Sequence, residues 1–228
     1  MLIIDQTSSA GSDLMSDVMS LLTTMLEDIL RAIYQPFGFA IILAVLFMFV
    51  YKHYSGPRAA CMAWIGWFRT EKRFRRVFLL AFYTALLLFR TLLNRSEWSN
   101  PLSNVIGVWG IYYFSGDQLI ITGDAFENIL LFAPFIFLLF LCFAEQILKK
   151  DGQIRIRRTI WKSLQISFLF SLAIEMLQLI FRLGTWQLSD LVQNTLGGLL
   201  GGLVYWMGRC LSRRKHRVDE SGDDADQG

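Results

Sequence analysis

The sequence is poor in charge. Only 18% of its 228 residues are Asp, Glu, Lys or Arg, whereas an ordinary soluble domain carries about a quarter. Hydrophobic residues make up 54% of the chain and the mean hydropathy is +0.42. This composition excludes most soluble domains, because so much apolar surface must face lipid. The net charge of +3 is too small to indicate a nucleic acid as a partner.

Cysteine and histidine are also scarce. Cys61, Cys142 and Cys210 lie in or near segments rich in Lys and Arg, which membranes retain on their cytoplasmic, reducing side. We therefore expect free thiols rather than disulfides. No CxxC or histidine-bearing pattern accompanies them, so neither a metal site nor a cofactor is predicted. His53 and His216 also lie in basic stretches, which leaves the other side without histidine for general-base or zinc chemistry.

The chain has no Lys or Arg before Arg31. A cleaved signal peptide opens with basic residues before its apolar core, so this start argues against one. Instead, apolar residues recur at helical spacing between Leu14 and Ile33. We predict an amphipathic helix within segment 1–35, either on the outer membrane interface or covering the other helices.

Five apolar runs are each about long enough to cross a hydrocarbon core of about 30 Å. They cover residues 36–54, 77–93, 124–144, 161–182 and 190–208. The predicted fold class is therefore all-α: a polytopic membrane helix bundle of about five transmembrane helices plus the N-terminal amphipathic helix. The bundle occupies residues 36–208, and a basic, then acidic, tail follows over 209–228.

The basic residues predict the orientation of this bundle. Segments 52–76, 149–162 and 209–217 hold 18 of the 22 Lys and Arg residues, and such residues near span ends stay on the cytoplasmic side. The resulting topology carries a charge of about +10 inside and −7 outside. We predict a multipass protein of the cytoplasmic membrane with its N-terminus outside and its C-terminus in the cytoplasm.

Polar side chains interrupt the fourth and fifth runs. An ionisable group within a span is costly and indicates a functional site by default. At about 100° per residue, one stripe of the fourth helix contains Ser171, Glu175, Gln178 and Arg182. One face of the fifth helix contains Asp190, Asn194, Gly197 and Gly201. Two pairs of glycines at i and i+4, 197 with 201 and 198 with 202, predict close helix contact.

Further polar residues lie at the outer ends of the second and third runs. The third run opens with Asp124, Glu127 and Asn128. Arg90 and Arg95 lie near the outer end of the second run. Snorkelling of the side chain to the interface explains Arg90 better than a site does, and both interpretations stay open for Arg95. The unexpected polar side chains thus collect in the outer half of the bilayer.

Two stretches resemble the VanZ-like family, named for the protein associated with teicoplanin resistance. ENILLFAPFIFLL (127–139) looks like the family's Asn-x3-Phe-x-Pro helix. SLAIEMLQLIFRLGTWQLSDLVQNTLGGLLGGLVYW (171–206) looks like its Glu-x2-Gln-x3-Arg followed by Asp-x3-Asn-x2-Gly-Gly. The similarity covers about residues 80–206. It implies a small bacterial membrane protein linked to the cell envelope and to glycopeptide resistance, without a settled activity. The positions matching the polar motif are Asn128, Glu175, Gln178, Arg182, Asp190 and Asn194.

These residues support three hypotheses. The first is a non-enzymatic protein whose outward pocket binds a lipid-linked wall precursor, another membrane lipid or an amphiphilic glycopeptide. Arg182 and Arg95 would hold phosphate or carboxylate, while Glu175, Gln178 and Asn194 would bind sugar or amide groups. The second is an intramembrane hydrolase or transferase that uses Glu175 and Asp190 as acid and base. The third is a structural lock in which these charges pair and nothing binds. Each allows a homo-oligomer.

Overall fold

A computed structural model of the chain describes residues 36–51, 57–93, 102–107, 109, 112–115, 118–121, 124–150 and 152–225, with four single residues before 36. The predicted amphipathic segment 1–35 therefore lies almost entirely outside the described residues. Arg95 lies outside them as well.

The described part of the chain is mostly helical. Its α-helices are α1 Pro36–Tyr51, α2 Pro57–Thr70, α3 Lys72–Leu88, α4 Asp124–Ile147, α5 Ile156–Phe181 and α6 Leu188–Ala225. A π-helical turn, Phe89–Leu93, continues α3. Two antiparallel hairpins join helices: β1 Tyr112–Ser115 pairs with β2 Gln118–Ile121, and β3 Lys149–Lys150 pairs with β4 Gln153–Ile154.

Within the described residues, each of the five predicted runs lies mainly on one of these helices, so the predicted helical character is confirmed. Three features differ from the prediction. The first basic loop contains a helix, α2, which begins with Pro57 in the position where proline suits a helix start. The hairpin β1–β2 adds strand to a chain predicted to be all-α. The last helix passes its predicted end at residue 208, because no glycine or proline interrupts residues 209–221.

Two of the described helices are long and apolar enough to cross a membrane, Phe126–Ile147 and Ile156–Phe181. Pro36–Tyr51 is apolar but shorter. Only 28% of the apolar window of each long helix is buried within the protein, whereas a core helix of a soluble protein would be mostly buried. Most of this apolar surface thus faces outward, as in a membrane protein. The number of spans stays a prediction.

Helix α5 buries polar side chains and exposes apolar ones along its length. Its buried face carries polar side chains: Thr159, Ser163, Ser167, Ser171, Glu175 and Gln178. Its exposed face carries large apolar ones, including Leu169, Ile180 and Phe181, which are 56%, 65% and 61% exposed. A helix in water would place these two faces the other way round. The arrangement fits a helix whose outer face contacts lipid and whose inner face contacts protein.

The apolar core lies between α3, α4 and α5. It includes Leu87 of α3, Phe132 and Ile136 of α4, and Ile174 of α5. Phe135 and Phe170 stack with ring centroids 4.6 Å apart, which joins α4 to α5. The hydroxyl of Tyr83 donates to the carbonyl of Leu131 at 2.9 Å, which joins α3 to α4. This core fixes the helix ends that carry the polar residues.

Candidate functional site

Helix α6 contacts the backbone of α4 through glycines. A Cβ atom added at Gly197 would overlap the main chain of Ile129, and one added at Gly201 would overlap the carbonyl oxygen of Ala133. Only glycine allows the two backbones to approach this closely. The close contact predicted from the paired glycines is therefore confirmed on this face.

The other face of α6 contacts serines of α5. A Cβ at Gly198 would overlap the hydroxyl of Ser167, and one at Gly202 would overlap that of Ser163. One turn nearer the start of α6, Asn194 takes the place of a glycine, and its Nδ2 donates to Ser171 Oγ at 2.9 Å. The contact thus repeats every four residues on both helices and ends in a hydrogen bond between buried side chains.

A pair of serine substitutions tests this contact. Ser171→Ala removes the acceptor of the Asn194 amide, which is only 4% exposed, so we expect a loss of about 1 kcal/mol of stability. Ser167→Ala should have no such cost, because Ser167 Oγ is buried without a hydrogen-bond partner among the described residues. Thermal unfolding of the purified variants in detergent measures both. Equal destabilisation by the two substitutions would contradict the assignment.

Asn128 of α4 connects to the start of α6. Its Nδ2 donates to Asp190 Oδ1 and to Gln193 Oε1, both at 3.0 Å. Asp190 and Gln193 are 8% and 5% exposed. One amide group thus satisfies two buried acceptors on the neighbouring helix. The positions 128 and 190, predicted to share a site, are in direct contact.

The loop between α5 and α6 is fixed by Glu175 and by segment 102–107. Glu175 is 2% exposed, and its Oε2 accepts the backbone N–H of Gln187 at 3.1 Å. The carbonyls of Val105 and Ile106 accept the N–H groups of Leu188 and Ser189 at 2.9 and 3.3 Å. These bonds satisfy donors at the start of α6 that the helix itself leaves unpaired.

Gln178 connects α5 to the π-helical turn after α3. Its Nε2 donates to the carbonyl of Thr91 at 2.7 Å. Its Oε1 is buried and has no hydrogen-bond partner among the described residues. Single π-helical turns are frequent at functional sites, because they open the backbone hydrogen-bond ladder. Here the turn Phe89–Leu93 brings Arg90 and Thr91 to the same end of the bundle as Asn128 and Asp190.

A cavity of about 250 Å³ lies between these elements. We name it the α4–α6 cavity; its lining residues are Arg90, Thr91, Glu127, Asn128, Leu131, Gln187 and Asp190. Leu131 is the single apolar member of this set. Arg90 Nη2 and Glu127 Oε2 form an ion pair at 3.0 Å on its wall. The half-buried side chains of this pair keep their charges next to the cavity rather than in open solvent.

The cavity offers hydrogen-bond donors and acceptors of both charges. The guanidinium of Arg90 and the amide of Gln187 donate, while the carboxylates of Glu127 and Asp190 accept. Such a mixture matches sugar hydroxyls, amides and a phosphate or carboxylate, and it does not match an apolar ligand. Its volume is below the range of about 300–1,000 Å³ usual for drug-sized ligands, so it fits part of a headgroup.

The other residues predicted for the site divide into three groups. Glu175, Gln178 and Asn194 are buried beside the cavity, in contacts with the protein, and do not line it. Arg182 does not continue the buried stripe of α5, because the helix ends at Phe181 and Arg182 adopts a left-handed conformation with φ 53°. Its side chain is exposed. Arg95 lies outside the described residues, so its role stays a prediction.

Sequence reasoning missed the cation of the cavity. The sequence favours snorkelling for Arg90, yet in the structure this residue lines the cavity and pairs with Glu127. Gln187 and Gln193 were also missed, since an amide close to a helix start resembles ordinary surface polarity. One signal was available: Arg90 and Glu127 are opposite charges at the same predicted end of neighbouring spans.

The hydrolase hypothesis requires Glu175 and Asp190 to face one substrate. Of these two described residues, Asp190 lines the cavity and Glu175 does not. Within the described part of the chain, no group of three or more His, Cys, Asp or Glu side chains could hold a metal ion. Catalysis and the absence of a metal both stay predictions.

The comparisons with known proteins agree with the resemblance found in the sequence. The VanZ/LLP1 family model matches residues 37–209. This match extends the similarity from the start of α1 to the middle of α6, and it includes the residues of the α4–α6 cavity. No curated protein and no solved structure matches the chain.

Proposed function

Because the chain belongs to the VanZ/LLP1 family, we propose that it is a multipass envelope protein that binds the polar headgroup of an amphiphile in the α4–α6 cavity. The proposed ligand is a lipid-linked cell-wall precursor or an amphiphilic glycopeptide such as teicoplanin. The protein would bind and sequester this ligand without chemical conversion. The binding role is assigned to the residues of the cavity, with Arg90 in place of Arg182 as the cation.

The proposed topology has five spans, formed by α1, α3, α4, α5 and the first half of α6. Its N-terminus is outside and its C-terminus is in the cytoplasm. Asn128 lies 19 residues before the end of α4, which is about 30 Å at about 1.5 Å per residue. This length matches the hydrocarbon core. The basic hairpin that follows α4 therefore supports a cytoplasmic position for that end and an outward position for the cavity.

The observation that carries the proposal is a polar cavity at the end of apolar helices. Six of its seven lining side chains are polar or charged, although the α4 and α5 windows beside it are mostly apolar and exposed. An amphiphile has this same division between a polar head and an apolar chain. Its headgroup would occupy the cavity while its chains lie along the exposed faces of the helices.

Binding of defined amphiphiles to the protein in nanodiscs tests the proposal. The probes are undecaprenyl-diphosphate-linked disaccharide pentapeptide and teicoplanin, each measured by microscale thermophoresis. The variant Arg90→Gln with Glu127→Gln removes both charges of the cavity and retains polar side chains of similar size. We expect it to bind at least one probe about tenfold more weakly, since a charge-assisted contact contributes roughly 1.5–3 kcal/mol.

A second ion pair on the same helix provides the matched control. Glu145 and Lys149 lie at the opposite end of α4, with Oε2 and Nζ 3.6 Å apart. The variant Glu145→Gln with Lys149→Gln removes the same two charges and should bind as the wild type does. Unchanged affinity of the Arg90 and Glu127 variant for both probes, in a protein that unfolds at the wild-type temperature, would overturn the proposed function.

A further inference from the structure

A second cavity, of about 580 Å³, lies at the junction of hairpin β3–β4 with the start of α5. We name it the basic cavity. Four of its lining residues are cations: Lys150, Arg155, Arg157 and Arg158. Segment 149–162 contains six Lys or Arg residues and a single acid, Asp151. The basic cavity is therefore a concentrated positive site at the end of the bundle opposite the α4–α6 cavity.

The fold holds these cations in place. Gly152, with φ +76°, allows the tight turn of the hairpin, and Ile154 is 8% exposed and anchors it to the core. Arg158 Nε and Nη2 donate to the carbonyl of Ile147 at 3.4 Å, so its guanidinium closes the end of α4. The cavity is thus a built feature of the helix connection.

The other three cations are available to a ligand. Lys150, Arg155 and Arg157 are exposed, and none has an acidic partner within 4.0 Å among the described residues. The first turn of α5 carries no acid, and its N-cap residue Arg155 makes no side-chain capping bond. The positive end of the helix dipole therefore adds to the field of the side chains. An anion is the complementary occupant.

The position of Trp161 indicates which kind of anion the basic cavity would bind. It lines the basic cavity and is 65% exposed. Phe168, two turns further along the same side of α5, is 43% exposed. Tryptophan favours the boundary between headgroups and hydrocarbon. A positive cavity at this boundary, continued by an exposed apolar face, matches an anion attached to acyl chains better than a free anion.

We propose that the basic cavity binds the phosphodiester headgroup of an anionic phospholipid, with Arg155 and Arg157 on the phosphate and the acyl chains along Trp161 and Phe168. The site is separate from the α4–α6 cavity. Arg158 and Glu175 lie 17 positions apart on α5, which is about 25 Å along the helix. The proposal therefore does not depend on what the α4–α6 cavity binds.

Native mass spectrometry of the purified full chain tests this site. Phosphatidylglycerol and phosphatidylcholine with the same palmitoyl and oleoyl chains are titrated separately. We expect preferential binding of phosphatidylglycerol, and a loss of roughly 30-fold in its affinity in Arg155→Gln with Arg157→Gln, since each basic residue contributes about 1 kcal/mol, or about fivefold. Phosphatidylcholine binding should not change. Inorganic phosphate at the same concentration should not displace the lipid.

Two further variants complete the test. Arg73→Gln with Arg76→Gln removes two exposed cations of α3 and should change phosphatidylglycerol affinity less than threefold. Arg155→Lys with Arg157→Lys keeps the charge and should retain affinity within about threefold. If the α3 control and the α5 variant lose equal affinity for phosphatidylglycerol, the loss reflects the total positive charge of the protein. That result would overturn the proposed site. Full displacement by inorganic phosphate would overturn a lipid as its occupant.

Discussion

Replacing Gly201 with alanine is expected to lower the midpoint of thermal unfolding by about 10 °C. The added Cβ would overlap the carbonyl oxygen of Ala133, and a backbone atom cannot move aside by rotation of a side chain. Overpacking of this kind costs about 3 kcal/mol at the upper end, and in a chain of this size each kcal/mol shifts the midpoint by about 2–4 °C. Thermal unfolding in detergent, followed by tryptophan fluorescence, measures the shift.

Gly208 supplies the matched control within the same helix. A Cβ added there meets nothing within 4 Å, so Gly208→Ala should leave the midpoint unchanged or raise it slightly through better helix propensity. If Gly201→Ala unfolds at the same temperature as Gly208→Ala, the close approach of α4 and α6 is wrong.

The face of α6 that contacts the serines of α5 differs, because a Cβ added at its glycines would overlap side chains rather than main chain. In Gly202→Ala, the added Cβ would overlap the hydroxyl of Ser163 and would lie 3.0 Å from the Cβ of that serine. Combining it with Ser163→Gly removes both atoms and should restore much of the lost stability. Shortening the side chain of Ala133 cannot restore Gly201→Ala in this way, since the obstacle there is main chain. The two glycine pairs can therefore be distinguished, because a second substitution restores stability on the serine side of α6 and not on the α4 side.

This difference also marks how far sequence reasoning reaches. The spacing of Gly197 with Gly201 and Gly198 with Gly202 predicts close contact, because small residues four apart share a face. The spacing does not reveal that one pair faces the backbone of α4 and the other the serines of α5. That assignment depends on the rotation of α6 between its neighbours, which long-range packing determines.

The candidate site was predictable in part for a similar physical reason. Polar residues within an apolar run, such as Glu175 and Asn194, are recognisable from the cost of placing them in lipid. Residues at helix ends are not, since a position such as Arg90 is compatible with both an aqueous interface and a cavity. Arg182 illustrates the opposite error: its periodicity places it on the buried stripe, but the helix ends one residue before it.

Helix α2 is not predicted from the sequence, because the segment is only moderately apolar. Its interior includes Trp64, Trp67 and Phe68, which pack on Phe74 and Phe78 of α3. Basic residues flank these aromatics, so the hydropathy of the segment resembles that of a loop. Aromatic packing against α3 stabilises this helix, and the spacing of apolar residues in the sequence does not reveal such tertiary contacts.

Replacing Asn128 with aspartate is expected to destabilise the chain as strongly as Gly201→Ala. The amide Nδ2 of Asn128 donates at 3.0 Å to both Asp190 and Gln193. Aspartate has the same shape but only acceptors at neutral pH, so both hydrogen bonds are lost and two carboxylates lie next to each other. Replacing the donor to a buried carboxylate with a second carboxylate costs about 3–5 kcal/mol, or roughly 10 °C in the unfolding midpoint.

Exchanging the two residues tests whether the contact itself is responsible. In Asn128→Asp with Asp190→Asn, one carboxylate remains and the amide at position 190 can donate to it, so most of the midpoint should return. Asn104→Asp is the control for the substitution type, because Asn104 is exposed and its Oδ1 already accepts the N–H of Gly107 at 3.3 Å. An exchange variant no more stable than Asn128→Asp would show that Asn128 and Asp190 do not hold α4 to α6.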